Sequence, residues 1–569
     1  MASPPEFVCT NWTAENSECN KEGRYTCKNC FLVTYCGQEC QKAHWPIHKI
    51  DCRAALGRDD WLPGWVIENR EPAFYDKRNE DHTTISKYVW GNSPAIDIVK
   101  LKDNEGEDYD GDLRLLFAAS GDLRHVFKTV ADLPATFNNK VEITINDFDL
   151  DITARNFILL LIAFVVEDIE EATDCMIHTW YSASLRKSHM EILQNKIRPF
   201  IKKVCNRIKD KTDKTIVAKT WTIRGRTLRI VMPKFSWVSV LDYFKLRPGL
   251  SPERAKQLRF QAVMTERRKD WKERIFCCKP PRHRMSMLRY YEDGIVAPFG
   301  TPRHDFTEPN PTIYNEFHFW PTTSESEPSA GWYSKDIAET SSGPASADMF
   351  GKLYYHVRSV IQSFIRRTAA GQVSIRLLNS DITELVDRLP GETFKNRVSP
   401  SQVSNVADTL WLGIHSTLLH LIPMLQSPET NPHATLITLF MNAVEETITE
   451  PEKVRKLDLG ARERLQTYLL GSFLERSPHV ELVKAAMGMD IVIRYDDVFD
   501  RYATKMNFHR AASLIGAVIK ENPTIVEKWP YKIKLRPGQP KAQEEWDRLL
   551  GSWAIGKERY VEWKKADLL

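Results

Sequence analysis

Residues 113–132 read LRLLFAASGDLRHVFKTVAD, and this stretch sets the fold class expected for the 569-residue chain. An apolar run of strand length is followed by a turn of small residues at 118–122 and by apolar residues at helical spacing from 123 to 130. A second strand is predicted at 141–145 and a strongly apolar helix at about 151–166. This strand–helix–strand–helix order is typical of a doubly wound, Rossmann-like α/β sheet.

The first turn contains Gly121, and the second strand ends near Asp147, at the position where such folds bind a ribose. Both are therefore candidate cofactor-binding residues. Ala118 and Ala119 occupy part of the place of the usual glycines, and Asp147 has a simpler interpretation as a helix cap. We favour an inert scaffold over a nucleotide or S-adenosylmethionine site.

Two further strands, at 372–378 and 403–406, are expected to complete the sheet begun at residue 113. Asp381 and Asp408 follow these strands, so they are candidates for lining a ligand crevice, although aspartates in such places more often start helices. The predicted division of the chain is 1–55 a metal-bound finger, 56–90 a linker, 91–170 the first half of the α/β domain, 171–350 a mainly helical insertion with an exposed Ser/Pro-rich loop at 321–348, 351–450 the second half, and 451–569 a helical C-terminal region.

Soft metal ligands are concentrated at the N-terminus, where seven of the eleven cysteines occur with histidines within 44 residues. Eight such ligands are enough for two tetrahedral zinc ions. The set is Cys9, Cys19, Cys27, Cys30, Cys36, Cys40, His48 and Cys52.

The composition of this segment favours zinc over disulfides. The other four cysteines are scattered, no secretory pattern precedes Cys9, and a histidine completes the ligand set. A segment of about 50 residues with few large aliphatic side chains depends on metal binding for its folding, on the order of 10 kcal/mol per structural site. Because both shells are full, the zinc is expected to be structural rather than hydrolytic, in an intracellular protein.

Residues 35–52, YCGQECQKAHWPIHKIDC, resemble the MYND zinc finger. The resemblance implies interleaved shells, with Cys9, Cys19, Cys36 and Cys40 on one ion and Cys27, Cys30, His48 and Cys52 on the other. One departure is the first pair, since Cys9 and Cys19 enclose nine residues instead of two. His44 competes with His48, but the register of Trp45 and His48 favours His48 as the ligand and makes His44 a packing or solvent-facing residue.

The same resemblance implies that the finger docks short proline-containing peptides, with Gln41 and Trp45 near the groove. A second resemblance is carried by the strings at 90–95, 120–126, 146–147, 154–156, 292–300 and 309–312. With these strings the α/β region resembles a domain found beside MYND fingers in fungal proteins and shared with the axonemal dynein assembly factor 3 family. The resemblance implies a methyltransferase-like fold without assignable catalytic residues.

The overall composition, 42% hydrophobic and 27% charged with a net charge of +4, is typical of a globular protein. The longest apolar run, 157–166, is short of the ~20 residues that cross a bilayer. Residues 194–234 and 254–289 are locally basic, which we interpret as solvated helical faces. Helical patterns are predicted at 435–444, 462–473 and 511–519.

These observations predict a zinc-dependent interaction or assembly protein that is not favoured to be an enzyme. The alternatives are an S-adenosylmethionine-dependent methyltransferase and, second, a nucleic-acid-binding regulator. The expected partners are proteins, nucleic acid and membranes are disfavoured, and the cytoplasm is favoured over the nucleus.

Overall fold

The computed structural model describes residues 7–12, 19–76, 87, 89–314, 320–370, 373–388, 400–456, 460–469, 478–553 and 555–566. The strands are β1 Tyr25–Thr26, β2 Thr34–Tyr35, β3 Leu113–Ala118, β4 Val141–Asp147, β5 Ser184–Leu185, β6 Ile216–Ile223, β7 Arg226–Pro233, β8 Glu308–Pro309, β9 Val373–Asn379, β10 Pro400–Val403, β11 Thr435–Phe440, β12 Ala517–Ile519 and β13 Arg559–Lys565.

The helices begin with one in the finger and continue through the body of the protein. They are α1 Gln38–Cys52, α2 Gly64–Ile67, α3 Leu101–Asn104, α4 Arg124–Asp132, α5 Leu150–Val165, α6 Ile169–Tyr181, α7 Lys187–Glu191, α8 Arg198–Arg207, α9 Lys234–Ser239, α10 Pro252–Val263, α11 Lys269–Cys277, α12 Pro281–Asp293, α13 Ser334–Glu339, α14 Met349–Ala369, α15 Leu385–Arg388, α16 Gly413–Leu421, α17 Glu450–Lys456, α18 Arg462–Tyr468, α19 Pro478–Val492, α20 Asp496–Lys505, α21 Phe508–Leu514 and α22 Ala542–Leu550. None of the helices in the described ranges is long and apolar enough to cross a membrane.

A nine-stranded mixed sheet forms the centre of the body, in the order β12-β13-β11-β10-β3-β4-β9-β7-β6. The six strands from β11 to β7 are parallel, whereas β6, β13 and β12 each run antiparallel to a neighbour. The expected α/β fold class is thus confirmed. Strands β9 and β10 flank the β3–β4 pair, so the chain does return to this sheet. Strand β9 lies where it is predicted, but β10 ends at Val403, where the second strand is predicted to begin, and residues 405–407 form a 3₁₀ turn.

Hydrophobic side chains cover both faces of the sheet. Along β3, Leu115 and Phe117 join one core cluster, and Leu116 and Ala118 join another, because successive strand residues point to opposite faces. Helix α5 lies in the first cluster and is buried along most of its length. Its N-cap is Asp149, whose carboxylate accepts the backbone N–H groups of Asp151 and Ile152. The expected apolar helix is therefore buried as predicted, but Asp149 rather than Asp147 caps it.

Several predicted helical regions instead supply strands. Residues 435–444, predicted as a helix, contain β11, and the predicted helix at 511–519 ends in β12. The C-terminal region also adds β13, and the insertion adds the β6–β7 hairpin. A strand such as β11 is buried on both faces, so its continuous apolar run resembles a buried helix in sequence. The predicted helix at 462–473 is present as α18, which begins at Arg462 and ends at Tyr468, and residues 470–473 lie outside the described residues.

The Ser/Pro-rich segment 321–348 was expected to be an exposed loop, and this expectation is wrong. Glu327 and Trp332 within it are both 2% exposed. The indole of Trp332 donates to Tyr181 Oη at 3.1 Å, and Tyr291 Oη donates to Glu327 at 3.0 Å. A few large or polar side chains thus fix a segment whose composition is otherwise that of a loop.

The region expected to be a linker also packs against the body over its described part. Trp65 is fully buried, and Arg70 pairs with Asp270 of α11 at 2.6 Å. The backbone N–H of Gly64 donates to Glu273 on the same helix at 2.6 Å. The finger is therefore joined to the body through packed chain up to residue 76.

Candidate metal centre

The finger comprises the described residues up to 57, and its scaffold is the β1–β2 ribbon followed by α1. Cys27 and Cys30 flank the tight turn that leaves β1, and the next residue, Phe31, has a left-handed φ of 56°. Cys36 lies just before α1 and Cys40 in its first turn. His48 and Cys52 lie four residues apart on α1, so they share one helical face.

The first ligand cluster consists of Cys27, Cys30, His48 and Cys52, and all four side chains are buried. Cys27 Sγ lies 3.6 Å from Cys52 Sγ, and Cys30 Sγ lies 3.4 Å from His48 Nε2. The side-chain amide of Asn29 donates to Cys52 Sγ at 3.3 Å and to the Cys52 carbonyl at 2.9 Å. Such a bond orients a thiolate ligand from outside the metal shell.

The second cluster consists of Cys9, Cys19, Cys36 and Cys40. Cys36 Sγ lies 3.7 Å from Cys19 Sγ and 3.4 Å from Cys40 Sγ, and Cys40 Sγ lies 3.9 Å from Cys19 Sγ. Backbone hydrogen bonds from Cys9 to Lys21 and from Cys19 to Asn11 close the long first knuckle. Cys9, which had the weakest sequence support, is therefore brought into the cluster with the others.

The geometry of both clusters fits zinc. Tetrahedral zinc with Zn–S bonds of 2.3 Å separates its sulfur ligands by about 3.8 Å, and the observed separations are close to this value. A disulfide would hold the sulfurs at about 2.05 Å, and all eleven cysteines are free. Within each cluster all ligand atoms lie within 4.8 Å of one another. Since each cluster offers four protein ligands, the zinc shells are closed, as structural zinc requires.

His44 is not part of either cluster. It is 4% exposed, and its Nδ1 lies 3.0 Å from Tyr35 Oη. Burial lowers the pKa of His44 to about 4, so the ring is neutral at physiological pH. His44 is thus a packing residue, one of the two roles that the sequence left open.

The two predicted peptide-binding residues, Gln41 and Trp45, lie one helical turn apart on α1, and both are half-buried. The Trp45 ring is 6.0 Å from the His48 ring at an angle of 70°, and the Arg53 guanidinium lies 5.4 Å from the Trp45 centroid. The indole is therefore fixed by a metal ligand on one side and a cation on another while part of it remains accessible.

The finger is docked on the body. Asp51 pairs with Arg289 of α12 at 2.6 Å, the Trp12 indole donates to the Gly300 carbonyl at 2.7 Å, and the Ala347 N–H donates to the Phe31 carbonyl at 3.0 Å. The buried cysteines share an apolar cluster with body residues Met285, Phe299 and Ala347. The sequence did not predict this docking.

At the carboxyl end of the sheet, the first two candidate cofactor residues bind each other. The Gly121 N–H donates to Asp147 Oδ2 at 2.9 Å, and Asn156 donates to the Gly121 carbonyl at 2.8 Å. Burial raises the pKa of Asp147 to about 7. The backbone group that would face a phosphate and the carboxylate that would face a ribose are thus already paired within the protein.

The other two aspartates have structural partners as well. Asp381 accepts the N–H of Thr383 at 2.8 Å, so it caps a short 3₁₀ helix. Asp408 is buried and accepts the N–H groups of Met441 and Asn442, which ties the segment after β10 to the end of β11. The pKa of Asp408 is raised to about 6 by burial.

The strings that carry the second resemblance form a buried polar network that sequence reasoning missed. Arg124 binds Asp122 at 2.5 Å, the Ser93 carbonyl at 2.7 Å and Ser93 Oγ at 2.9 Å. A Cβ on Gly91 would lie 2.0 Å from Arg124 Nη1, so a larger residue there would displace the guanidinium from its partners. Similarly, Arg155 donates to the Thr312 carbonyl at 2.9 Å. In this structure these strings hold segments distant in sequence together.

Two family models match parts of the chain. The MYND finger matches residues 16–52, and a domain of unknown function (DUF4470) matches residues 89–185. The chain carries a MYND finger. Its match and the two four-ligand clusters together confirm a finger built on two zinc ions.

Several curated proteins are similar over short regions. N-lysine methyltransferase SMYD2 of Mus musculus is 38% identical over 75 residues, 12% of this chain and 17% of that protein. SMYD2 of Rattus norvegicus is 35% identical over 74 residues, with the same coverage, and SMYD2-A of Danio rerio is 29% identical over 99 residues, 17% of this chain and 22% of that protein. The chain thus spans less than a quarter of the length of these relatives. No solved structure matches the chain.

Proposed function

We propose that this protein is a zinc-dependent protein-interaction or assembly factor, whose MYND finger docks a proline-containing peptide segment of a partner and whose α/β body is a non-catalytic platform. The observation that carries the proposal is the pair of closed four-ligand clusters. A closed zinc shell leaves no position for a reactive water, so the metal's contribution is a rigid recognition surface.

The arrangement of Gln41 and Trp45 supports the peptide-binding part of the proposal. They lie on the same side of α1, and neither is fully buried. Grooves that bind proline-rich segments are lined by aromatic side chains, because the preformed extended helix of such peptides loses little entropy on docking. Trp45 is the fixed aromatic residue of this surface.

The platform role is supported by the internal pairing of Gly121 with Asp147 and by the structural use of Asp381 and Asp408. A methyltransferase-like ancestry and a role in the assembly of other proteins follow from the resemblance to the axonemal dynein assembly factor 3 family. We place this activity inside the cell, because a thiol-rich zinc finger persists in a reducing compartment. Of the two such compartments we propose the cytoplasm rather than the nucleus.

In full-length protein, Trp45→Ala is expected to weaken binding of a labelled proline-containing peptide by about tenfold, the usual effect of removing an aromatic hot-spot residue. Zinc content should stay at two ions per chain. The matched control is Ile50→Ala, which removes a 71% exposed side chain five residues further along α1 and therefore on a different face. Peptide affinity is measured by fluorescence anisotropy. Equal affinity for both variants would contradict the proposal that Trp45 lines a peptide-binding groove.

The alternative is an S-adenosylmethionine-dependent methyltransferase, and the reason to test it is the similarity to N-lysine methyltransferases of the SMYD2 type. Calorimetric titration of the full-length protein with S-adenosylmethionine is expected to give no saturable heat and no shift of the melting temperature. A bound ligand at about 100 times its dissociation constant would stabilise the fold by about 2.7 kcal/mol. Saturable binding of S-adenosylmethionine that is lost in Asp147→Asn would contradict the non-catalytic platform and favour the methyltransferase.

A further inference from the structure

Strand β6 is the edge of the nine-stranded sheet, and across the described ranges no other strand pairs with its outer side. It has eight residues, whereas the opposite edge strand, β12, has three. Folded proteins keep edge strands short or cover them, because a long exposed edge pairs with other chains. The length and exposure of β6 therefore call for a functional explanation.

The register of the β6–β7 hairpin shows which backbone groups point outward. The two-residue turn Arg224–Gly225 has φ angles of 51° and 78°, and Ile223 pairs with Arg226 beside it. In such a hairpin the pair next to the turn is hydrogen-bonded and alternate pairs are not. The residues whose N–H and C=O groups face away from β7 are Ile216, Ala218, Thr220 and Thr222. These four are also the exposed residues of the strand, and those between them are half-buried.

The charge around this edge is strongly positive. Residues 196–234 contain thirteen Lys and Arg and two Asp. Three of these cations form ion pairs: Lys196 with Glu171, Arg224 with Glu167, and Lys234 with Asp213. Apart from these paired residues, the exposed cations are Lys202, Lys203, Arg207, Lys209, Lys211 and Lys214. Lys211 and Lys214 directly precede β6, whereas Arg224, which follows it, is paired with Glu167, so the positive charge available to a partner lies at the start of the strand.

This placement revises the interpretation of the basic run as solvated helical faces. Only part of the run lies on helix α8, and the rest lies on the loop before β6 and on the β6–β7 hairpin. Cations therefore lie beside the start of an open backbone edge as well as on a helix.

We propose that β6 is a docking edge for an extended acidic segment of a partner protein, which adds to the sheet as a further strand. This surface is separate from the finger and goes beyond its proposed function. A partner backbone supplies both donors and acceptors to the outward groups of β6, and its acidic side chains complement the surrounding cations.

Two other occupants fit the surface less well. A second copy of this chain would place two cationic surfaces together, which the like charges oppose. A nucleic acid would satisfy the cations and the outward N–H groups, but its phosphate oxygens cannot hydrogen-bond the outward carbonyl groups. An acidic peptide satisfies all three features.

The test uses the full-length, zinc-loaded protein and a fluorescein-labelled peptide of alternating Glu and Val, matched in length to β6. Anisotropy should show saturable binding that weakens with salt, because exposed charges are screened. A peptide of the same sequence with N-methyl groups on every backbone nitrogen cannot donate from either edge, so it should bind about tenfold more weakly because it loses several backbone hydrogen bonds of modest individual strength. A peptide of alternating Lys and Val should not bind.

On the protein side, Thr220→Pro removes an N–H that points away from β7, so the bonding to β7 is retained while the docking edge is blocked. It should reduce the affinity by about tenfold, and Thr220→Val should not, because valine keeps the N–H and suits a strand. Ala218→Pro gives a second, independent block. Circular dichroism and zinc content identify a variant that has failed to fold. The double variant Lys211→Glu/Lys214→Glu should weaken binding and reduce its salt dependence.

Several outcomes would overturn the proposal. They are no saturable peptide binding up to about 1 mM, equal affinity for the N-methylated peptide, and unchanged affinity in both folded proline variants. Tighter binding of single-stranded poly-uridine RNA that is insensitive to Thr220→Pro would assign the surface to nucleic acid. A dimer in sedimentation that dissociates in Thr220→Pro would assign it to a second copy.

Discussion

Cys30→Ser is expected to reduce the zinc content from two ions per chain to one or none, and to unfold the finger while the α/β body stays folded. Cys30 is buried and lies 3.4 Å from His48 Nε2, so it is an integral ligand of the first cluster. A serine hydroxyl does not supply the thiolate on which the site depends. Since structural zinc contributes on the order of 10 kcal/mol to folding, the loss exceeds what the small apolar cluster of the finger can offset.

The effect should spread beyond one ion. Both clusters draw ligands from α1, which carries Cys40, His48 and Cys52, so unravelling this helix also removes support from the second ion. The finger also covers Met285 and Phe299 of the body. Unfolding of the finger should therefore expose an apolar patch on the body and increase aggregation, while the nine-stranded sheet stays folded.

Elemental analysis and limited proteolysis test this expectation. Cleavage should begin within residues 1–57 and leave a protected fragment that contains the body. The matched control is Cys205→Ser, because Cys205 is buried and belongs to neither cluster, and its thiol donates to the Trp237 carbonyl at 3.2 Å. Two bound ions in Cys30→Ser, or an equal loss of zinc in Cys205→Ser, would refute the ligand assignment.

Features encoded by short-range spacing could be predicted from the sequence. The ligand clusters followed from the spacing of the cysteines and His48, and strands β3, β4 and β9 followed from apolar runs beside turn residues. The return of the chain to the sheet could be inferred because α/β topologies place successive parallel strands next to one another.

Features that depend on distant contacts could not be predicted. Asn29 reaches Cys52 only after the β1 turn and α1 have met. Strand β11 is buried on both faces, so its side chains do not alternate between apolar and polar. Its hydrophobic pattern therefore cannot distinguish a strand from a buried helix. The docking of the finger through Asp51 and Arg289 joins residues 238 positions apart, and no local sequence pattern predicts that these two residues pair.

The largest expected effect in the body is that of Arg124→Met. Arg124 is buried, with its guanidinium bound to Asp122 at 2.5 Å and to two oxygens of Ser93. Methionine fills part of the space but leaves the Asp122 carboxylate buried without its cation. Removing one partner of a buried ion pair costs about 3–5 kcal/mol. We expect a corresponding fall in the free energy of unfolding, measured from urea titrations.

A surface pair provides the control. Arg388, the last residue of α15, binds Glu384, which directly precedes the helix, at 2.8 Å. The two side chains are 27% and 49% exposed, so Arg388→Met should cost no more than about 0.5 kcal/mol. If the cost of Arg124→Met comes from the stranded carboxylate, adding Asp122→Asn should restore part of the lost stability, because the neutral amide no longer needs a cation. A double variant as unstable as the sum of the two single variants would show instead that lost packing dominates, and that the charge pair does not hold the segment at Ser93 against α4.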